Sequence, residues 1–169
     1  MREGKSMRPF PIKNLLVIIV GVMWLDQVTK LWIVDYFIAH PRRIQVLPIL
    51  DFVLVWNRGI SWGLFNNASG YNALVFSLLA GVISIILGIM LWKTKDKLMA
   101  WSLSLIIGGA LGNLIDRVRF GGVVDFIYFH WHSYTFPAFN IADAAITFGV
   151  ALMIWEEVIR FKEEKENRK

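Results

Sequence analysis

Residues Ala73 to Trp92 read ALVFSLLAGVISIILGIMLW, 20 positions without a charge. As an α-helix this stretch rises about 30 Å, the thickness of a bilayer's hydrocarbon core. It therefore reads as a membrane span, and the rest of the chain parses around it. Leu98 to Ile115 gives 18 more uncharged residues, Phe136 to Trp155 carries only Asp143, and Leu15 to Val34 is interrupted by Asp26 and Lys30. The composition agrees. Of 169 residues 56% are hydrophobic and 18% charged, with a mean hydropathy of +0.53, whereas soluble domains carry about 25% charged residues. The expectation is one all-α membrane domain over 1–169, with four transmembrane helices at about 15–34, 73–92, 98–115 and 136–155 and cytoplasmic tails at 1–13 and 156–169.

The basic residues orient this arrangement. Twelve of the 18 Lys and Arg flank the spans on one side: Arg2, Lys5, Arg8 and Lys13; Lys93, Lys95 and Lys97; Arg160, Lys162, Lys165, Arg168 and Lys169. Lys and Arg near span ends resist translocation, so both termini are expected in the cytoplasm and the loops at about 35–72 and 116–137 outside. The net charge of +5 is thus spent on topology rather than on a nucleic-acid face. The first span shares a basic flank with secretory signal peptides, but no small-residue cleavage motif follows Leu25, so a retained helix is expected. The absence of cysteine excludes disulfides, a Cys-ligated metal and a cysteine nucleophile.

The outer loops have a pattern of their own. Ile44 to Leu47, Asp51 to Trp56 and Val123 to Phe129 are rich in β-branched and aromatic residues, which predicts a small extracytoplasmic β-cradle and lid between helices 1 and 2 and between 3 and 4. The tryptophans fall mostly near span ends or in these loops, as an interfacial aromatic belt would.

Ionisable groups inside a membrane cost about 2.5–3.5 kcal/mol at a helix centre on insertion scales, so Asp26 and Asp143 are functional candidates. Asp125 lies in the outer loop next to the span that holds Asp143, and both carboxylates can reach one bilayer boundary. Two close acids share a proton and so supply a base and an acid together, as hydrolysis by activated water requires. Asp26 and Lys30, four apart on one helix face, read as a structural ion pair at the interface. Gly108 and Gly112 form a small-xxx-small packing face. Gly59 to Gly63 fits G-x-S-x-G but lacks the α/β sheet which that motif needs. His40, His130 and His132 fall in loops, with no third metal ligand evident. Two other classes compete: a small proton-coupled membrane carrier using Asp26 and Asp143 as a relay, and a non-catalytic scaffold. The carrier would show repeated halves, and the scaffold leaves Asp143 unexplained.

Five blocks stand in order: Leu25-Asp26-Gln27-Val28-Thr29-Lys30; Asn57-Arg58-Gly59; Gly108 to Arg117 (GGALGNLIDR); Val123-Val124-Asp125-Phe126; and Phe136 to Asp143 (FPAFNIAD). Together they make the chain similar to the lipoprotein signal peptidases, the signal peptidase II family. The resemblance implies an aspartic endopeptidase of the bacterial inner membrane, working near the outer leaflet. It would remove the signal peptide of diacylglyceryl-modified prolipoproteins on the amino side of the lipidated cysteine, without metal or cofactor. It further implies catalytic Asp125 and Asp143, with Asp26, Lys30, Asn57, Gly59, Gly112, Asn113, Asp116, Arg117 and Asn140 binding substrate or supporting the site. Membrane lipids and lipidated precursors are the implied partners, nucleic acid is not, and the cyclic peptide globomycin is the implied inhibitor. Arg117 is expected to fix the loop carrying Asp125 through charge-assisted hydrogen bonds. Ile60-Ser61-Trp62 departs from the small residues and Phe usual in the family after Asn-x-Gly, which bears on local cradle contacts.

Overall fold

A computed structural model describes residues 11–59 and 71–167, with the side chains of 71–73 left out. The described elements run α1 (Ile12–Ala39), β1 (Ile44–Leu47), β2 (Leu50–Asn57), α2 (Tyr71–Lys93), α3 (Lys97–Phe120), β3 (Val123–Trp131), β4 (Tyr134–Thr135) and α4 (Ile141–Asn167). Ile60-Ser61-Trp62, whose departure from the family bears on local cradle contacts, and the G-x-S-x-G stretch beyond Gly59 lie outside the described residues.

The helices organise around α3. Asp96 caps its start by accepting from Met99 N at 2.7 Å, and Gly121 ends it at φ +71°, a left-handed conformation that glycine adopts without strain. Its buried face includes Met99, Leu103, Ile106 and Ile107 and is interleaved with small residues. Glycines set how closely the neighbours approach. A Cβ on Gly108 would meet Val22 Cβ at 2.9 Å on α1, one on Gly109 would run into the Ala142 carbonyl oxygen on α4, and one on Gly149 would meet Ser102 O at 2.8 Å. In a membrane, lipid tails are as apolar as Leu, so helices associate through such close packing rather than through hydrophobic burial. The outward faces agree: Leu78, Ile85, Val17 and Phe148 are each more than half exposed.

Three helices, Ile12–Ala39, Leu74–Lys93 and Lys97–Phe120, are long and apolar enough to cross a membrane. The fold is therefore a membrane fold of several apolar helices with a small antiparallel sheet. α4 begins at Ile141, not at Phe136 as hydropathy suggested. Residues 136–140 are extended instead: Phe139 N donates to Ile127 O at 3.1 Å, and Phe126 N and Ile127 N donate to Phe139 O at 3.0 and 2.8 Å. Asp143, expected seven residues inside a span, thus stands in the first turn of its helix.

The sheet has the order β1-β2-β3-β4, antiparallel throughout. Between Phe52↔Ile127 and Val55↔Asp125 the register slips, with β2 carrying one residue more than β3. Such a bulge bends the strand and re-aims the side chains beside it, here next to Asp125. The sheet docks on α1 through a cluster of Ile33, Phe37, Val124 and Phe126. The strand β3 runs two residues past the expected Phe129 because Trp131 pairs with Tyr134 across a tight turn.

The glycine contacts give a differential expectation. Gly109→Val places side-chain atoms against a main-chain carbonyl that cannot move aside, and should lower the stability of the detergent-solubilised protein by about 1–3 kcal/mol. Gly81→Ala, where nothing lies within 4 Å of the added Cβ, should leave it unchanged. Equal thermal midpoints for the two variants would remove the close α3–α4 approach as a determinant of the fold.

Candidate active site

Helix periodicity delivers the site from two directions. Asp26, Gln27 and Lys30 share one side of α1, and Gly112, Asn113 and Asp116 face them from α3. At the centre is Lys30, whose side chain is 2% exposed. Its Nζ lies 2.7 Å from Asp26 Oδ2, 2.8 Å from Asp116 Oδ2 and 2.8 Å from Asn113 Oδ1. An ammonium has three protons, and here each has an acceptor. The Asp26–Lys30 pair expected at the interface is therefore fully buried, and a second carboxylate completes it.

Each carboxylate of this cluster uses its other capacity to hold a different element. Asp26 Oδ1 accepts from Ala142 N at 2.9 Å, satisfying one of the free N–H groups at the start of α4. Asp116 Oδ2 accepts from Val124 N at 3.1 Å, which pins β3 one residue before Asp125. The loop-fixing bond expected of Arg117 is thus made by its neighbour. Successive helical positions point about 100° apart, so Asp116 turns into the core while Arg117 faces the cavity described below and donates to Asn113 O at 3.4 Å.

Asn140 builds the other half. Its Oδ1 accepts from Asp143 N at 2.8 Å while Asp143 Oδ2 accepts from Asn140 N at 3.2 Å, a reciprocal cap between the residue before the helix and the third residue in it. The same Asn140 donates from Nδ2 to Asp125 Oδ1 at 2.7 Å. One residue therefore links the two carboxylates, Asp125 through its side-chain amide and Asp143 through its backbone N–H. Asn57 donates to Asp125 Oδ2 at 3.0 Å and accepts from Gly59 N at 3.1 Å, and Asn113 donates to Asp143 Oδ1 at 2.8 Å. Gly112 is small because a Cβ there would sit 2.7 Å from Asp26 Oδ2.

Asp125 is 2% exposed, and its carboxyl is raised to about 7. Burial is the main cause and the nearby charge of Asp143 the next; the amide donors of Asn57 and Asn140 pull the other way. Among the described residues, Asp26, Asp116, Asp125 and Asp143 meet the basic side chains of Lys30 and Arg117.

A cavity of about 890 Å³ opens beside this cluster. Asn113, Arg117 and Asp143 form its polar end, Phe136 and Phe139 one wall, and Ala80, Ile83, Ile106 and Ala151 an apolar floor. A smaller space of about 270 Å³ adds Asn57 and Val123 next to the same polar residues. Asp143 faces both, and Asp125 lies behind them. The residues that the family resemblance implies for the site, Asp26, Lys30, Asn57, Gly59, Gly112, Asn113, Asp116, Arg117, Asp125, Asn140 and Asp143, thus gather in one place.

Gln27 went unnoticed in the sequence, although its Nε2 reaches Asp116 Oδ1 at 2.8 Å and Gly112 O at 3.2 Å. Its only sequence signal is adjacency to Asp26 in a polar interruption of an apolar helix. The Asn140–Asp143 cap was likewise not read from the sequence, although an N-x-x-D pattern marks it there. Among the described residues no group of three or more His, Cys, Asp or Glu is placed to hold a metal ion.

Comparison with known proteins places this geometry. The family model described as signal peptidase (SPase) II matches residues 18–159. A lipoprotein signal peptidase of Shewanella halifaxensis is 40% identical over 151 residues, covering 88% of each chain. One from an Azoarcus species is 42% identical over 155 residues, 89% of this chain and 86% of that one. Among solved structures, a bacterial membrane enzyme determined by the in meso method at 2.3 Å superposes with a TM-score of 0.77 at 34% identity, covering 96% of this chain and 95% of that one.

Removing the central cation tests the cluster. Lys30→Met keeps the length of the side chain but leaves Asp26 and Asp116 buried without a counter-charge, a loss of roughly 3–5 kcal/mol where one partner of a buried pair is deleted. The variant should unfold at markedly lower temperature in detergent. Wild-type stability would mean that the ammonium does not hold the helices together.

Proposed function

The chain belongs to the signal peptidase II family, whose members remove signal peptides from prolipoproteins, and we propose that it does so by an aspartic mechanism using Asp125 and Asp143. The observation that carries this reading is that one residue, Asn140, donates from its side-chain amide to the Asp125 carboxylate and from its backbone N–H to the Asp143 carboxylate. Asp143 faces the cavity and acts as the base: its ionised carboxylate takes a proton from water, and the resulting hydroxide attacks the scissile carbonyl. Asp125, raised to about 7, holds the shared proton. It donates that proton toward the developing oxyanion, and a proton then passes to the leaving amine as the tetrahedral intermediate collapses.

The substrate of this reading is a diacylglyceryl-modified precursor cut on the amino side of its modified cysteine. The acyl chains stay in lipid, where each buried CH₂ contributes about 0.8 kcal/mol to retention at the bilayer, and the apolar end of the signal peptide enters the cavity between Ile83, Ile106 and Ala151. Globomycin, a cyclic peptide, would compete for that space. The enzyme resides in the bacterial inner membrane with both termini in the cytoplasm and the sheet outside. α4 makes the fourth crossing, and its apolar stretch lies between Asp143 and the Glu156–Glu157 pair. The carrier reading needs Asp26 on an aqueous path, whereas Asp26 is 0% exposed and neutralised by Lys30.

Asp125→Asn and Asp143→Asn each keep the size of the side chain and one of its two accepting oxygens but remove the shared proton. Each alone should cut cleavage of a diacylated precursor by roughly 10²-fold or more, and the double variant should be no worse than either single one, because groups acting as a unit are lost together. In the wild type, activity should fall as the pH rises through about 7, where Asp125 loses its proton. Either Asn variant processing precursor at near the wild-type rate would overturn the mechanism.

Orientation is tested separately. A reporter fused after Lys95, between α2 and α3, should report cytoplasm, and one fused at Ser133, in the turn between β3 and β4, should report the outside. The reverse pattern would invert the enzyme in the membrane.

A further inference from the structure

A second cavity of about 280 Å³ lies at the far end of the sheet, lined by Ile49, His130, Trp131, Tyr134 and Phe136 among others. Its rim is aromatic and open: Trp131 is 67% and Tyr134 78% exposed. Its polar wall is His130, whose ring is stacked on Tyr128 with centroids 5.8 Å apart and held from behind by Asp51. Asp51 is 1% exposed, 3.2 Å from His130 Nε2 and 3.3 Å from Arg43 Nη1, and makes no hydrogen bond among the described residues.

This cavity neighbours the one at Asp143. Phe136 lines both. It is tied to the sheet by donation from its N to Phe129 O at 2.9 Å, and it packs edge-on against Phe139, which stacks in turn on Phe129. Two directions lead away from the polar end at Asp143. One runs along α4 to Ala151 and is apolar; the other leads to Phe136, which also lines the aromatic cavity. A precursor cut at Asp143 has two halves to place, a signal peptide that belongs in lipid and a polar chain that must leave the membrane.

We propose that the aromatic cavity of Trp131, Tyr134 and His130 holds the substrate's extended chain on the carboxyl side of the cleaved bond, a few residues beyond the modified cysteine. The proposal rests on the assignment of cleavage to Asp125 and Asp143. Tyr and Trp suit an occupant of varied sequence, because their rings give contact area at low entropic cost and their polar tips tolerate water. The span is measurable. His130 is five residues from Asp125 along β3, about 17 Å, a distance that an extended peptide covers in about five residues.

Length of substrate is therefore the test. Two diacylated precursors are compared, one ending about two residues after the modified cysteine and one continuing for about ten, long enough to reach the cavity. Trp131→Ala and Tyr134→Ala, both at exposed positions, should raise KM for the long precursor about fivefold, to the value for the short one, with kcat unchanged and the short precursor unaffected. An equal rise for both lengths would make the rings a lipid-facing anchor and overturn the proposal, as would no change for either. Failure of the dyad itself shows instead as full activity of Asp125→Asn, whatever the two lengths do.

Discussion

One ammonium group ties the architecture together. Lys30 Nζ lies within 2.8 Å of Asp26, Asp116 and Asn113, and taking such charges out of water costs several kcal/mol per ion unless they are mutually paired and hydrogen-bonded. Here they are. The two carboxylates then reach onward, Asp26 to the first turn of α4 and Asp116 to the strand before Asp125. Four elements, α1, α3, β3 and α4, are thereby joined through one cation, and the residues that precede Asp125 and Asp143 are held by its two carboxylate partners.

The dyad itself is held differently. Asp125 and Asp143 are bonded by the amides of Asn57, Asn113 and Asn140. A cation bonded directly to each would drive both toward the ionised form, whereas a neutral amide donor orients a carboxylate with a weaker pull on its proton. Burial and the neighbouring charge therefore prevail at Asp125. Asp26 and Asp116 are matched with Lys30, and the two carboxylates proposed to be catalytic with amides, and this division lets one cluster contain both.

The parts legible in the sequence were those governed by local pattern. The uncharged run of α2 and the β-branched runs of β1 to β3 emerged within a residue or two of where hydropathy and composition put them, because lipid and sheet each select residue types directly. The start of α4 did not, since Phe136 to Phe139 is as apolar as a helix and only Asn140, a capping residue, marks the boundary. The pairing of Asp26 with Lys30 was visible at i, i+4, but the arrival of Asp116 from α3 was not. Its distinction from Arg117 depends on which side of α3 faces α1, a tertiary fact. The family resemblance supplied the names of the site residues; the roles of Gln27 and of the Ala142 N–H needed coordinates.

The location of the site follows from the same energetics. Asp143 stands in the first turn of α4, where backbone N–H groups lack partners, and Asp125 stands on a strand laid across the helix ends. Irregular backbone at membrane depth is tolerated only where protein or a cavity satisfies it, and here Asp26, Asp116 and Asn140 do so. A polar centre assembled where helix ends meet the sheet uses backbone groups that needed partners in any case. It adds fewer new buried charges than one placed midway along the spans. Its opening toward Ile83, Ile106 and Ala151 is apolar, so under the proposed mechanism an apolar substrate segment would reach the carboxylates without leaving an apolar environment. On that reading protein chemistry and substrate partitioning select the same depth, because a lipid-held chain and a polar centre built on helix ends meet where lipid gives way to water.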